Sequence, residues 1–392
     1  MIYRRKLYDK INDHLQKSQI TVLTGMRRTG KTTLLKQLLS DIPSSNTLYL
    51  DLENISNRTI FSEKNYENIL IAFEQLGLRR NEEMFVALDE LQLHPPAVSV
   101  LKYLYDHYRI KFIVTGSSSY YLKNLFSESL AGRKTLFEIF PLDFGEFLTF
   151  KGLSGITREF RTTTFSIPEY ERIRSYYEEF VRWGGFPEVV LESNEIYKRQ
   201  ILEDIISSYV NIDIATLTDF RKSSHIYSLI KMLASRVGSR LDYSKLSRLV
   251  GIRNVTVKNY VDFFEKTYLI SRVPVFSKNT DREIVKSKKL YFSDTGLVNI
   301  LADVSSGAQF ENAVFTQLRH HGTLQYYALK NGREIDFILN QEIALETKET
   351  PTESDWTALS SLATSIGLPS SRLVGRQSSP SFHDYIWAGE IR

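Results

Sequence analysis

Residues 25 to 33 read Gly25-Met26-Arg27-Arg28-Thr29-Gly30-Lys31-Thr32-Thr33. Two glycines bounding four residues and followed by Lys-Thr form a phosphate-binding loop, the P-loop, whose backbone N–H groups turn inward onto phosphate oxygens. Lys31 would reach the β and γ phosphates of a nucleoside triphosphate, and the Thr32 hydroxyl would complete the oxygen coordination of Mg²⁺. Arg27 and Arg28 add positive charge, and Met26, Thr29 and Thr33 complete the wrap. Farther on, Met84-Phe-Val-Ala-Leu-Asp89-Glu90 sets an apolar run against two adjacent carboxylates, a Walker B pattern. Asp89 would hold Mg²⁺ through water, and Glu90 would polarise the water attacking the γ-phosphate. A second apolar run, Ile110 to Thr115, ends in Gly116-Ser117-Ser118-Ser119. Thr115 or Ser117 is a candidate γ-phosphate sensor, and a serine-rich helix cap accounts for the same residues equally well. Arg133 is a candidate arginine finger toward a neighbouring subunit's nucleotide, a role that requires a homo-oligomer.

A second set lies near the carboxyl end of the chain. Asp336 falls in one strand-like run, and Glu346 and Lys348 share one face of the next, because strand side chains alternate. With Glu311 on the preceding helix, Asp336 and Glu346 could bind Mg²⁺, and Lys348 could orient a hydrolytic water for phosphodiester cleavage. With a variable gap this pattern recurs by chance about once in a chain of this size. Its weight comes from charge placed inside apolar strands, where an unpaired charge is costly.

These residues need elements to hold them. Ile20 to Leu23 reads as a buried strand running into the loop, and Thr33 to Leu39 as a helix with Leu34, Leu35, Leu38 and Leu39 at helical spacing. Asn46 to Leu52 reads as a strand and residues 65 to 77 as a helix, so strands and helices alternate as in an open parallel α/β sheet, with every candidate residue at the strands' carboxyl ends. Residues 1–150 form this first domain. Residues 151–220 read as a linker followed by helices at Pro168 to Trp183 and Asn194 to Tyr209, a helical lid region with Gly184-Gly185-Phe186-Pro187 as the turn. Residues 221–300 hold a helix-turn-helix, Tyr243 to Val250, Gly251, then Val255 to Lys266, with Arg248, Arg253, Lys258 and Asn259 as candidate contacts to DNA. Residues 301–392 close the chain with the strand runs Leu324 to Leu329, Arg333 to Leu339 and Ile343 to Lys348 as a meander.

The chain has 392 residues, no cysteine, a net charge of +4 and a pI near 8.9. Absence of cysteine excludes disulfides, thiolate metal sites and cysteine nucleophiles. The mild basic excess permits nucleic-acid binding without requiring it. No apolar run reaches the roughly 20 residues that span a bilayer, and the first residues lack a signal-peptide core. A soluble, cytoplasmic protein is expected, with no membrane partner.

Taken together, Gly25 to Thr32, Leu88-Asp89-Glu90, Thr115 to Ser118, Ala131-Gly132-Arg133, Gly184 to Pro187, Tyr291 to Leu297 and the Asp336/Glu346/Lys348 set resemble the prokaryotic AAA-like ATPases that carry a C-terminal PD-(D/E)XK nuclease-like domain of unknown function. The resemblance covers nearly the whole chain. It implies an AAA-type ATPase core using ATP and Mg²⁺, a winged helix, and a restriction-endonuclease-like α/β tail. Two functions follow as expectations. One is an ATP-hydrolysing enzyme whose nucleotide state controls a DNA-facing winged helix and a nuclease-like domain. The other is a signal-transducing ATPase switch that binds a protein or nucleic acid without cutting it. A small-molecule kinase fits less well, since the Asp-Glu pair suits water as nucleophile.

Overall fold

The computed structural model describes residues 3–116, 130, 132–153, 165–214, 223–277, 286–329 and 331–392. The chain divides into two compact units, Met1–Phe140 with Lys266–Tyr268, and Pro141–Glu265 with Leu269–Arg392.

In the first unit five strands, β1 (Ile20–Thr24), β2 (Thr47–Asp51), β3 (Met84–Asp89), β4 (Ile110–Gly116) and β5 (Lys134–Glu138), form one sheet in the order β2-β3-β4-β1-β5. Every pairing is parallel. The carboxyl ends Thr24, Asp51, Asp89 and Gly116 therefore share one edge. Register pairs Asp51 with Asp89 and Thr24 with Gly116. Strand alternation splits the core between two faces. On one, Val22, Val86, Leu88, Phe112 and Val114 pack with Ile69, Leu70 and Phe73 of helix α3 (Tyr66–Gln75) and with Leu101 and Leu104 of α4 (Ala97–His107). On the other, Leu23, Ala87, Ile113 and Phe137 meet Ile11 of α1 (Tyr8–His14) and Leu34, Leu35 and Leu38 of α2 (Lys31–Asp41). Each buried leucine contributes about 1.5–3 kcal/mol, so the three in α2 anchor the helix that follows the P-loop.

The second unit is mixed. Helices Ile167–Trp183 and Glu195–Ser208 match their expected spans, with a short extra helix, Pro187–Leu191, between them. The helix-turn-helix is formed by Tyr243–Val250 and Asn254–Lys266. At the turn Gly251 adopts φ 75°, ψ 28°, a left-handed conformation that glycine takes without a Cβ penalty. An antiparallel hairpin follows, β6 (Ile270–Val273) with β7 (Lys289–Phe292). The last sheet has the order β12-β11-β10-β9-β8. Strands β8 (Leu324–Ala328), β9 (Glu334–Leu339) and β10 (Ile343–Lys348) form the expected antiparallel meander. The helix Glu353–Ser365 then leads to β11 (Ser370–Gly375), parallel to β10, and to β12 (Ile386–Trp387), two strands that sequence reading did not anticipate. Among the described residues no helix is long and apolar enough to cross a membrane.

Candidate functional site

The P-loop leaves β1 and enters α2 as the motif requires. Gly30 stands before Lys31 at φ 91°, and Arg28 also has a positive φ of 61°. Gly25 approaches the neighbouring chain so closely that a Cβ there would lie 2.1 Å from the Ile139 carbonyl oxygen. The Lys31 ammonium is buried inside the loop and donates to the carbonyls of Gly25 at 3.0 Å and Met26 at 2.9 Å. The Thr29 hydroxyl donates to the Met26 carbonyl at 2.9 Å. A residue missed from sequence completes the loop: Arg5 donates to the Thr29 carbonyl at 2.8 Å and to the Phe140 carbonyl at 2.9 Å, strapping the loop to the chain leaving β5.

Across the same edge, Asp89 is buried and accepts hydrogen bonds from the Tyr49 hydroxyl at 2.9 Å and from the Thr115 hydroxyl. Burial pushes the Tyr49 phenol up, and the Asp89 carboxylate pushes it further, so it is a donor at neutral pH. Thr115 also accepts from the Glu90 N–H at 3.0 Å. Glu90 itself sits at φ 55°, ψ 46°, a left-handed conformation rare outside glycine, which turns the chain sharply after Asp89. Its carboxylate accepts from the Gln92 side-chain amide. Thr115 thus joins both Walker B acids through one hydroxyl. Neither Tyr49, two residues before the strand end that pairs with Asp89, nor Arg5 carries a local sequence signal for these contacts.

The other candidates fare differently. Ser117 lies outside the described residues. Arg133 immediately precedes β5, and Lys134 pairs with Ile20 at the start of β1, so Arg133 lies at the end of the sheet opposite the P-loop of its own chain. There it forms a two-pronged pair with Asp106, at 2.8 and 3.2 Å.

In the second unit the carboxylates meet a cation absent from the sequence expectation. Lys289 of β7, with its side chain only 2% exposed, lies 3.1 Å from Glu311, 3.2 Å from Asp336 and 3.3 Å from Glu334. Burial alone would push the ammonium down, but the surrounding carboxylates hold its pKa above the usual lysine range. Burial pushes Glu311 up and Asp336 adds to that, while Lys289 and the Tyr291 hydroxyl, which donates to Glu311 at 2.6 Å, pull it back, leaving it raised to about 7. The second Asp336 oxygen accepts from the Thr347 N–H at 2.9 Å and hydroxyl at 2.8 Å. Glu346 pairs with Lys348 at 2.8 Å, and Lys348 also reaches Asp355 at 3.4 Å. Glu311 and Asp336 are therefore brought together, but around an ammonium, while Glu346 is paired with Lys348. That arrangement does not fit the expected Mg²⁺ held by Glu311, Asp336 and Glu346, because Lys289 already supplies the positive charge. Among the described residues no three acidic, histidine or cysteine side chains are grouped as metal ligands.

The Gly184-Gly185 and Asp294-Thr-Gly296 segments lock together. The buried Asp294 carboxylate accepts from the Gly185 N–H at 2.7 Å and caps the Thr295–Leu301 helix through the Leu297 N–H at 3.1 Å. A Cβ on Gly184 would lie 2.2 Å from Asp294.

Comparison with known proteins places these geometries. Residues 17–148 match the family described as AAA domain. This AAA-like region holds the whole P-loop and Walker B edge. Residues 174–308 match a domain of unknown function. Over 355 residues the chain is 28% identical to an uncharacterised protein of Methanocaldococcus jannaschii, covering 86% of this chain and 77% of that one. Over 376 residues it is 26% identical to an uncharacterised protein of Haemophilus influenzae, covering 91% and 90%. Among solved structures it resembles the Aeropyrum pernix ORC2 protein in its ADP form, with TM-score 0.37 and 15% identity over 68% of this chain and 85% of that one. It also resembles the Aeropyrum pernix ORC1 protein in complex with DNA, with TM-score 0.34 and 11% identity over 77% and 92%. Likenesses this remote carry no argument about function.

Proposed function

We propose that the protein binds ATP with Mg²⁺ at the AAA-like domain and hydrolyses it, and that its nucleotide state governs a second unit that engages DNA. The observation that carries the reading is the shared sheet edge, where the P-loop, Asp89, Glu90 and Thr115 leave three adjacent strands. The donor set fits the triphosphate: loop N–H groups from 25 to 33, a buried ammonium at Lys31 and a hydroxyl at Thr32, with Asp89 as the metal-side carboxylate. Bound Mg²⁺ would neutralise charge on the β and γ phosphates. Lys31 exchanges its two carbonyl partners for phosphate oxygens. Tyr49 and Thr115 fix the Asp89 carboxylate, and Thr115 holds the backbone of Glu90, which takes the proton of the attacking water.

The reading of the second unit as a winged helix with a nuclease-like tail rests on the family resemblance. Lys289 favours the version in which that tail binds its partner without cutting it, since the carboxylates carry an internal counter-cation. Glu90→Gln tests the ATP site. It should keep ATP binding and lower turnover by at least about a hundredfold, the lower end of the range for a general base. Unchanged turnover would remove Glu90 from the mechanism.

A further inference from the structure

In the second unit the amino ends of both helix-turn-helix helices, Tyr243–Val250 and Asn254–Lys266, open onto one cavity of about 480 Å³. That volume lies in the range of small-molecule sites. Three cations line it, Arg240, Lys258 and Lys286, against a single acid, Asp242. Asp242 caps the first helix, accepting from the Lys245 N–H at 2.9 Å. Asn254 donates to the Ser244 hydroxyl at 3.3 Å, so the two helix starts are tied together at the cavity wall. Its base is firm: Val275, Tyr326 and Ala328 are buried, and the Tyr326 hydroxyl donates to the Ser287 carbonyl.

The charge balance excludes a metal cation and favours an anion. Two helix amino ends add partial positive charge at the cavity wall. Arginine offers a planar fork for paired oxygens, lysines add point charges, and serine hydroxyls and an asparagine amide can complete the shell of a tetrahedral oxyanion. We infer that this cavity binds a phosphate group, carried either by a nucleic-acid strand or by a free nucleotide. For the first source it deepens the proposed DNA role by naming the pocket that seats the backbone; the ATP site is not involved.

The test uses the full chain without ATP. Fluorescein-labelled single-stranded and duplex DNA of about 20 nucleotides is titrated by anisotropy between about 50 and 200 mM salt, the interval over which phosphate contacts are read from the salt slope. AMP, which lacks the β and γ phosphates that Lys31 recognises, is titrated by calorimetry. The variants are Arg240→Gln with Lys258→Gln, the same pair with Lys286→Gln, and separately Ser244→Asp. Arg240, Lys258 and Ser244 are exposed, so the fold should survive, which tryptophan fluorescence checks. If a strand is the source, the double variant should bind at least about tenfold more weakly, with a salt slope shallower by roughly 0.7–0.9 per contact removed. If a free nucleotide is the source, wild type should bind AMP with one-to-one stoichiometry, and Ser244→Asp should abolish the heat. No binding of either probe by wild type, or affinities within twofold across all variants, would overturn the inference. ATP hydrolysis, measured in parallel, would fail separately if only the ATP reading were wrong.

Discussion

Replacing Lys289 with methionine keeps most of the side-chain volume and removes one buried charge. The ammonium lies 3.1–3.3 Å from Glu311, Asp336 and Glu334. Glu334, at 40% exposure, retains water and loses little. Glu311 and Asp336, with side chains 16% and 11% exposed, are left facing each other with no cation between them. Breaking a buried ion pair in this way costs about 3–5 kcal/mol, because the stranded carboxylates keep their desolvation penalty. Part of the loss is recovered when Glu311, already pushed up to about 7 by burial, takes a proton. Lys289→Met is therefore expected to lose about 3 kcal/mol at pH 7.5 and less at pH 6. Urea unfolding followed by tryptophan fluorescence reads this directly, since all three tryptophans, Trp183, Trp356 and Trp387, belong to the second unit. The freed carboxylates should also acquire affinity for Mn²⁺. In the variant alone, metal at a hundred times its dissociation constant should restore about 2.7 kcal/mol. A Lys289→Met chain within about 1 kcal/mol of wild type, or a wild type stabilised as much by Mn²⁺ as the variant, would refute the view that the lysine stands in the cation position.

Glu169 is held down to about 2, first by Arg172 and, against the opposing effect of burial, by Arg392, at 2.8 and 2.6 Å. A carboxyl whose folded pKa lies below its unfolded value stabilises above about pH 4.5, and that contribution is lost as pH falls toward 2. After discounting for the half-exposed Arg172, Glu169→Gln should cost about 1–2 kcal/mol at pH 7 and about a quarter of that near pH 2.5, in urea unfolding at both pH values; an equal cost at both would sink the assignment. Arg133→Ala should leave stability nearly unchanged, as for other exposed pairs, and leave ATP turnover within twofold. A fall of about 10³ or more would instead restore Arg133 as a finger acting on a neighbour's nucleotide.

The residues proposed for the ATP site were legible in sequence because each is a local consequence of the chain: glycines where the backbone must turn, a helix behind the loop, acids at a strand end. Parallel order then places them on one edge, and an alternation of apolar runs and helical spacings implies such order. Contacts set by distant register were not legible. Tyr49 reaches Asp89 only because β2 and β3 pair as they do, and Arg5 reaches Thr29 from before the first helix. β12 has two residues, too few for any periodicity to show. Lys289 is the instructive case. Beside Lys288 it reads as part of a solvated basic pair, yet its partners Glu311 and Asp336 lie 22 and 47 residues later. A pattern of carboxylates in sequence records negative charge needing compensation, and it does not record what compensates. A metal and a lysine from another strand satisfy the same electrostatic demand, so the negative charges of Glu311 and Asp336 were legible while the cation they face was decided by β7.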